Sequence, residues 1–138
     1  MEAGTRVLRV HECPAGQMDA CFLKAPEGSP VVEIVRLRLA DGEPVILEKD
    51  HFLPAFSWLM TEDLTGSLYQ LLKSRGLTPG KSGHEISLCQ ADAADAEQLG
   101  VAKGTALLLL NELICDQNGN PLHLCSQRVR GDRFTFRI

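Results

Sequence analysis

The sequence has few aromatic residues, no long hydrophobic run and no cluster of basic residues. Its longest apolar run, residues 106–110, is far too short to cross a membrane, and the N-terminus lacks the hydrophobic region of a signal peptide. We therefore expect a cytoplasmic protein without a membrane partner. The formal net charge is −4 and the basic residues are scattered, so we expect any DNA contact to come from another part of the protein.

The sequence also lacks spacings typical of metal or catalytic sites. Its five cysteines show no CxxC spacing, and most stand inside apolar runs: Cys13, Cys21, Cys89, Cys115 and Cys125. We expect buried, reduced thiols. The four histidines show neither HxxxH nor HxH spacing, and no Ser/His/Asp grouping or phosphate-binding glycine loop stands out. The sequence therefore predicts no metal, no cofactor and no catalytic residue.

Residues 31–53 carry a strong hairpin signal, two extended runs joined around Asp41 and Gly42. Asp-Gly between runs rich in Val, Ile and Leu is typical of a tight turn, because glycine adopts the positive φ that such a turn needs. Side chains alternate along a strand, so Arg36 and Arg38 share one face of the predicted sheet. A buried or half-buried pair of guanidinium groups needs anionic partners, either protein carboxylates or a bound carboxylate or phosphate.

The rest of the chain predicts further strands and short helices. The predicted strands are residues 6–12, 81–89, 106–115, 121–129 and 131–138, and the predicted helices are residues 14–24, 55–64, 67–76 and 91–99. The leucine run in 106–115 is equally typical of a helix, but the Asn-Gly turn that follows favours a second hairpin. We predict one α+β domain, residues 1–138, with a mainly antiparallel sheet and helices packed on it.

The second half of the chain resembles the first when the sequence is shifted by 76 residues, from Cys13 to Cys89. Further matches are Ala15, Asp19, Ala20, Leu23, Gly28 and Leu37 with Ala91, Asp95, Ala96, Leu99, Gly104 and Leu113. Chance matching is the alternative, but the matches fall at helix, break and turn positions, so we predict a pseudo-repeat of strand, helix and hairpin. Arg36 corresponds to Glu112; the two lie either near each other across a pseudo-twofold axis or in separate half-sites.

Several motifs resemble, in order, the UTRA domain, the effector-binding domain of GntR-superfamily, HutC-type bacterial transcriptional regulators. They are RLRLADGEPVILE, DLTGSLYQLL, LGVAKGTALLLL, NGNPLHL and RGDRFTF. The resemblance implies a fold similar to chorismate lyase, a small-molecule pocket on the sheet and a homodimer. Full-length members bind operator DNA through an N-terminal winged helix, for which there is no room before Arg6. We expect either an excised effector domain or a stand-alone member.

The resemblance also implies ligand contacts for particular residues. Arg36 and Arg38 look like the family's anion-binding arginines, Glu48 like its hairpin glutamate, and Ser67 and Tyr69 like the polar pair that starts its central helix. Forked guanidinium donors and a hydroxyl suit a phosphate or carboxylate. The structural alternatives are ion pairs for the arginines, a helix cap for the serine and a core position for the tyrosine.

The last hairpin departs from the family pattern. His123 and Val129 stand where sugar-phosphate-binding members have a glutamate and a tyrosine. The change argues against a polyhydroxylated ligand held in the same way and favours a less sugar-like effector, or a carboxylate whose other end His123 holds. With Glu112 from the repeat, the predicted ligand-binding set is Arg36, Arg38, Glu48, Ser67, Tyr69, Glu112 and His123.

We expect a sensor domain that binds a small anionic metabolite and acts through a dimer on the DNA-binding part of its regulator. The alternative from another class is a chorismate-lyase-like enzyme, in which an arginine grips a carboxylate and Glu112 transfers a proton. A dimerisation module without a ligand is the third possibility; its arginines would be permanently paired with protein carboxylates.

Overall fold

The computed structural model describes residues 2–132, apart from the side chains of residues 81 and 82. In this part of the chain six strands form one antiparallel sheet in the order β1-β2-β3-β6-β5-β4. The strands are β1 (Ala3–Pro14), β2 (Pro30–Ala40), β3 (Glu43–Phe52), β4 (Gly80–Gln90), β5 (Ala106–Cys115) and β6 (Pro121–Arg130). The α+β prediction is confirmed. Most of the predicted last strand, residues 131–138, lies outside the described residues.

Four short helical segments connect these strands. They are a π-helical turn (Asp19–Leu23), a 3-10 segment (Pro54–Thr61), α1 (Leu68–Ser74) and α2 (Ala93–Leu99). The helix predicted over residues 14–24 is much shorter than expected, because Pro14 still pairs with β2 and Lys24 takes a left-handed conformation. No helix among the described residues is long and apolar enough to span a membrane.

The sheet is covered differently on its two faces. On one face Ile34 and Phe52 pack against Leu59 of the 3-10 segment and Leu72 of α1. On the other face α2 covers the middle of the sheet, and the π-helical turn covers the end near Val31. Burial of these apolar side chains is the main stabilising contribution to the fold. Because alternate residues of each strand face opposite layers, each strand contributes to both.

The predicted β2–β3 hairpin is confirmed. Its turn residues Asp41 and Gly42 both have positive φ, 51° and 80°. This geometry matches the twist of the flanking strands, and glycine adopts it without strain. The turn fixes the register in which Arg36 faces Glu48 on the neighbouring strand. A local turn signal therefore determines a pairing at the centre of the sheet.

The internal repeat is confirmed by equivalent backbone bonds. The N–H of Ala15 donates to the carbonyl of Ser29 at 2.6 Å, and in the second half the N–H of Ala91 donates to the carbonyl of Thr105 at 2.8 Å. These bonds close the same loop between a strand and the next hairpin. Strand order is symmetric as well, since β3-β2-β1 and β6-β5-β4 run outward from the centre in opposite directions.

The centre of the sheet contains the pseudo-twofold axis. Lys49 of β3 pairs directly with Ser126 of β6, and these are equivalent positions once the extra residue in the later turn is counted. The acidic residues of the two helical segments are equivalent too: Asp19 pairs with His51 at 2.9 Å, and Asp95 lies 3.4 Å from Arg128. The symmetry therefore extends from the backbone to ion pairs.

All five cysteines are free. Cys115 and Cys125 are buried as expected, Cys13 and Cys89 are only half-buried, and Cys21 is exposed. The prediction of burial was wrong for Cys21 because it lies on the solvent side of the π-helical turn instead of in a full helix packed on the sheet.

Candidate ligand-binding site

A cavity of about 460 Å³ lies between the sheet and residues 65–69. Every residue of the predicted ligand-binding set lines it: Arg36, Arg38, Glu48, Ser67, Tyr69, Glu112 and His123. The volume is within the range of small-molecule sites. Arg36 and Glu112 thus line one cavity, although β3 and β6 separate their strands. Ligand contact by these residues remains a prediction.

Arg36 is buried and bonded to protein acceptors. Its Nε and Nη2 donate to Oε2 of Glu48 at 3.0 and 2.6 Å. Its Nη1 donates to the carbonyls of Leu64 at 3.2 Å and Gly66 at 2.9 Å. Four contacts use most of the five donors of a guanidinium group. Arg36 therefore anchors the loop that forms one wall of the cavity, and the ion pair weighed in the sequence is present.

Arg38 has a different environment. Its side chain is 40% exposed, and its Nη1 lies 3.5 Å from Oε1 of Glu48, too far for a strong hydrogen bond. Its Nε has no hydrogen-bond partner among the described residues. Arg38 therefore has guanidinium N–H donors available at the cavity, whereas most of those of Arg36 are already bonded to protein acceptors.

Glu48 and Asp50 lie side by side on the cavity floor. Both are buried, and they are alternate residues of β3. Burial and the negative charge of Asp50 raise the pKa of Glu48 to about 7, against the opposing effect of Arg36. Two neighbouring buried carboxylates avoid a double negative charge when one of them keeps its proton. Glu48 therefore exchanges its proton near neutral pH.

Asp50 also contacts His123 from β6. Oδ1 of Asp50 lies 3.3 Å from Nδ1 of His123, without the alignment of a hydrogen bond. Burial alone would raise the pKa of Asp50, but His123, Glu48 and Arg36 hold it below its usual range. The His123 ring stacks on Phe52 with centroids 4.4 Å apart. This packing fixes the ring at the floor of the cavity.

Ser67 and Tyr69 form the upper edge of the cavity. Oγ of Ser67 accepts a hydrogen bond from the N–H of Gln70 at 3.2 Å, so Ser67 caps α1. Tyr69 is 44% exposed. The alternative of a core position for the tyrosine is therefore wrong, because the ring faces solvent and the cavity.

Three residues of the floor were missed in the sequence: Asp50, Cys125 and Gln127. Gln127 donates from Nε2 to Oε1 of Glu48 at 3.2 Å. The available signal was alternation, since Asp50 is two residues beyond Glu48 on the same strand and so shares its face. Cys125 and Gln127 share a face for the same reason, but neither strand alone predicts that β3 and β6 are neighbours.

The floor has features of both a metal site and a thiol centre. Ligand atoms of Glu48, Asp50 and Cys125 lie within 4.8 Å of one another. Burial raises the pKa of the Cys125 thiol, and the charges of Asp50 and Glu48 raise it further. Without a bound cation the thiol is therefore protonated and a poor nucleophile.

Overall, the charges of the cavity are nearly balanced. Arg36 and Arg38 line it together with Glu48, Asp50 and Glu112, and Glu48 is able to hold a proton near pH 7. An anion is favoured on the side of Arg38, and hydrogen-bond donors are favoured at the carboxylate floor. The arrangement suits recognition of a small polar molecule with two different ends.

The chain matches a known family over nearly its whole length: the family model of the UTRA domain covers residues 1–135. The chain is 31% identical over 139 residues to the HTH-type transcriptional repressor PhnF of Mycolicibacterium smegmatis, covering 99% of this chain and 57% of PhnF. It is 26% identical over 138 residues to the HTH-type transcriptional repressor NagR of Bacillus subtilis, covering 99% of this chain and 57% of NagR. It thus spans little more than half the length of these relatives.

The structure is similar to a solved effector domain as well. The crystal structure of the effector domain of PhnF from Mycobacterium smegmatis superimposes with a TM-score of 0.89 at 30% sequence identity. The match covers 99% of this chain and 85% of that chain. The motifs, the strand order and these similarities agree: the chain belongs to the UTRA domain family, the effector-binding domains of GntR-family transcriptional regulators.

Proposed function

We propose that the domain binds a small anionic metabolite in the cavity between the sheet and residues 65–69, and that Arg38 holds its anionic group. The observation that carries this proposal is the contrast between the two arginines. Arg36 is buried among protein acceptors, whereas Arg38 is 40% exposed at the cavity with an unpartnered Nε among the described residues. A guanidinium group in this state is suited to a phosphate or carboxylate.

Arg36 supports binding indirectly in this proposal. Its bonds to the carbonyls of Leu64 and Gly66 hold the loop that leads into α1. That loop places Ser67 and Tyr69 at the cavity edge. Arg36 is thus a positioning residue, and Arg38, Ser67 and Tyr69 contact the anion.

The carboxylate floor selects the other end of the ligand. Asp50 is 1% exposed, and when Glu48 is ionised both carboxylate oxygens of Asp50 lack aligned hydrogen-bond donors among the described residues. A buried acceptor in this state favours a ligand hydroxyl or ammonium group. We infer an effector with an anionic group at one end and hydrogen-bond donors at the other. This replaces the alternative, drawn from the sequence, of a carboxylate ligand held by His123.

Thermal-shift screening tests the proposal. The probes are inorganic phosphate, phosphorylated sugars, phosphonates, and carboxylates with and without hydroxyl or amino groups. We expect at least one anion to raise the melting temperature of the wild-type chain and to lose most of that effect in Arg38→Ala. Ligands that carry donors at the far end should stabilise more than matched anions without them.

Arg6→Ala is the matched control, because Arg6 is exposed and pairs with Leu37, whose side chain faces the opposite layer of the sheet. It removes the same charge without touching the cavity, so ligand shifts should persist. Equal loss in both variants would mean that net charge, and not the site, determines binding. If no anion stabilises the wild type more than Arg38→Ala, the assignment of the cavity is wrong.

We further propose that the domain works as a homodimer in the cytoplasm, within a regulator that binds operator DNA through a separate domain. The dimer surface is the part of the cavity-side sheet face that the 3-10 segment and α1 leave uncovered. There Leu88 is 74% exposed and Ile86 is 48% exposed, opposite Leu108 and Leu110 of β5. A second copy is the favoured occupant, because regulators that read two operator half-sites need a symmetric dimer.

Binding without catalysis is part of the same proposal. The rival is a lyase that acts on a small carboxylate, and Glu112 would supply its proton-transfer group. Incubation with chorismate and detection of 4-hydroxybenzoate distinguishes them. We expect no turnover above the buffer control; turnover that disappears in Glu112→Gln would establish the lyase.

A further inference from the structure

On the sheet face opposite the cavity, three titratable side chains stand in a row across three adjacent strands. His11 of β1 pairs with Glu33 of β2, and Glu33 pairs with His51 of β3. Nε2 of His11 lies 2.8 Å from Oε1 of Glu33, and Nε2 of His51 lies 2.8 Å from Oε2 of the same carboxylate. Both imidazoles therefore converge on one carboxylate.

Cys13 adds a thiol to this row. It lies two residues after His11 on β1, so its side chain shares the same face. The ligand atoms of His11, Cys13 and Glu33 all lie within 4.8 Å of one another. We propose that these three residues bind a borderline transition-metal cation of the Zn²⁺ class. Nitrogen, thiolate sulfur and carboxylate oxygen are the ligands that Zn²⁺ takes, and modest rotamer changes bring them to bonding distance.

The surroundings of the site support this assignment. Nδ1 of His51 lies 2.9 Å from Asp19, while its Nε2 points at the second oxygen of Glu33. Metal-binding carboxylates are commonly oriented by such outer hydrogen bonds, so His51 and Asp19 are positioning residues. Arg9 contacts Glu33 at 3.2 Å, but its side chain is 57% exposed and can move into solvent when a cation takes Oε1.

The repeat shows that the frame does not require these side chains. The equivalents of His11, Cys13, Glu33 and His51 in the second half are Ser87, Cys89, Leu109 and Arg128. Only the thiol is common to both halves. The cluster is therefore specific to the first half and is not a by-product of the fold.

The site also has access to solvent and room for a further ligand. His11 is 38% exposed on its side chain. Cys13, Glu33 and His51 border a second cavity of about 640 Å³. Water or a small molecule can thus fill the fourth position of a tetrahedral cation, as in open zinc sites.

Titration of the reduced 138-residue chain with Co²⁺ tests the proposal. We expect one equivalent to produce a near-ultraviolet thiolate-to-cobalt charge-transfer band and visible d–d bands, which Zn²⁺ then displaces. Cys13→Ser should abolish the thiolate band, and both Cys13→Ser and His11→Asn should weaken binding. Asp19→Asn should weaken binding about 10- to 100-fold while the band persists.

Cys89→Ser is the matched control, because it removes the equivalent cysteine of the second half. It should leave the titration unchanged. Circular dichroism shows whether each variant is folded. If Cys13→Ser does not fold, weaker binding in His11→Asn, at a partly exposed position, tests the site instead. The absence of a thiolate band in the wild type overturns the proposal. So does a band that survives Cys13→Ser and disappears in Cys125→Ser, which would place the metal on the cavity floor.

Discussion

Arg36 and Arg38 show how two identical side chains on one strand acquire different roles. They share a face of β2, yet Arg36 is 3% exposed and Arg38 is 40% exposed on its side chain. The 3-10 segment and the loop after it cover the position of Arg36 and supply carbonyl acceptors. Position under that loop therefore decides which guanidinium group is structural.

Truncation of these arginines should affect stability very differently. Arg36→Ala leaves the Glu48 carboxylate buried without its cation and removes the hydrogen bonds to the carbonyls of Leu64 and Gly66, the first of them buried. We expect a loss of about 3–5 kcal/mol in the free energy of unfolding. Arg38→Ala should cost no more than about 1 kcal/mol, because its pairing is long and partly exposed. Urea denaturation measures both, and equal losses would contradict the division of roles.

Glu48 predicts a specific pH dependence. Its pKa is about 7 in the fold and near the usual glutamate value of 4.5 in the unfolded chain, so between these values the folded state binds more protons. The free energy of unfolding should therefore decrease as pH rises from about 4.5 to about 7, by up to about 3 kcal/mol from this group. Glu48→Gln should flatten this slope in urea titrations at a series of pH values. An unchanged slope would show that Glu48 is ionised throughout.

At the scale of elements, short helices depend on their caps. In α2, Asp92 accepts from the N–H of Asp95 at 2.8 Å, and Asp95 accepts from the N–H of Asp92 at 3.3 Å. In α1 the corresponding role falls to Ser67 alone. A helix of seven residues is marginal without such bonds and tertiary packing. The helix at the cavity edge, α1, therefore has the weaker of the two N-terminal caps.

Substitutions of Ser67 separate its two proposed roles. Ser67→Ala removes the cap and should lower the free energy of unfolding by about 1 kcal/mol. Ser67→Asp keeps a capping oxygen and should retain stability, but it should weaken binding of the stabilising anion by like-charge repulsion. Melting temperatures with and without that anion measure both effects. Anion binding unchanged in Ser67→Asp would leave Ser67 with the capping role only.

The elements also show what the sequence could and could not reveal. The hairpin was predictable because Asp41 and Gly42 carry their turn geometry locally. The role of Arg36 was not, because its carbonyl acceptors come from a loop about 30 residues away, Gly66 among them. Asp50 was missed for a similar reason: its burial depends on the pairing of β3 with β6. Local signals predict elements, whereas the electrostatics of the site depends on which elements meet.

At the scale of the molecule, the uncovered part of the sheet face is the surface that we propose for dimerisation. Leu88 on the edge strand β4 is the most exposed of the large apolar side chains on the described part of the sheet. Exposed apolar surface on an edge strand commonly marks an interface. If a second copy covers it, a charge at this position should separate the copies.

Leu88→Glu should therefore convert a dimer of this chain into a monomer, because dimerisation would bury an unpaired carboxylate. Light scattering after size-exclusion chromatography measures the mass. Ala94→Glu is the control, since it places the same charge at an exposed position of α2, on the opposite face of the sheet. A wild-type monomer, or a dimer that persists in Leu88→Glu, contradicts this surface.

The duplicated frame has a consequence for how such domains diversify. The bonds that join Ala15 to Ser29 and Ala91 to Thr105 involve only main-chain atoms. The strand side chains of the two copies are therefore free to diverge, as the pair Arg36 and Glu112 shows. The same frame, used twice, yields a cavity with two chemically different sides. Substitutions at a few strand positions can therefore change which ligand the cavity suits and leave the loops as they are.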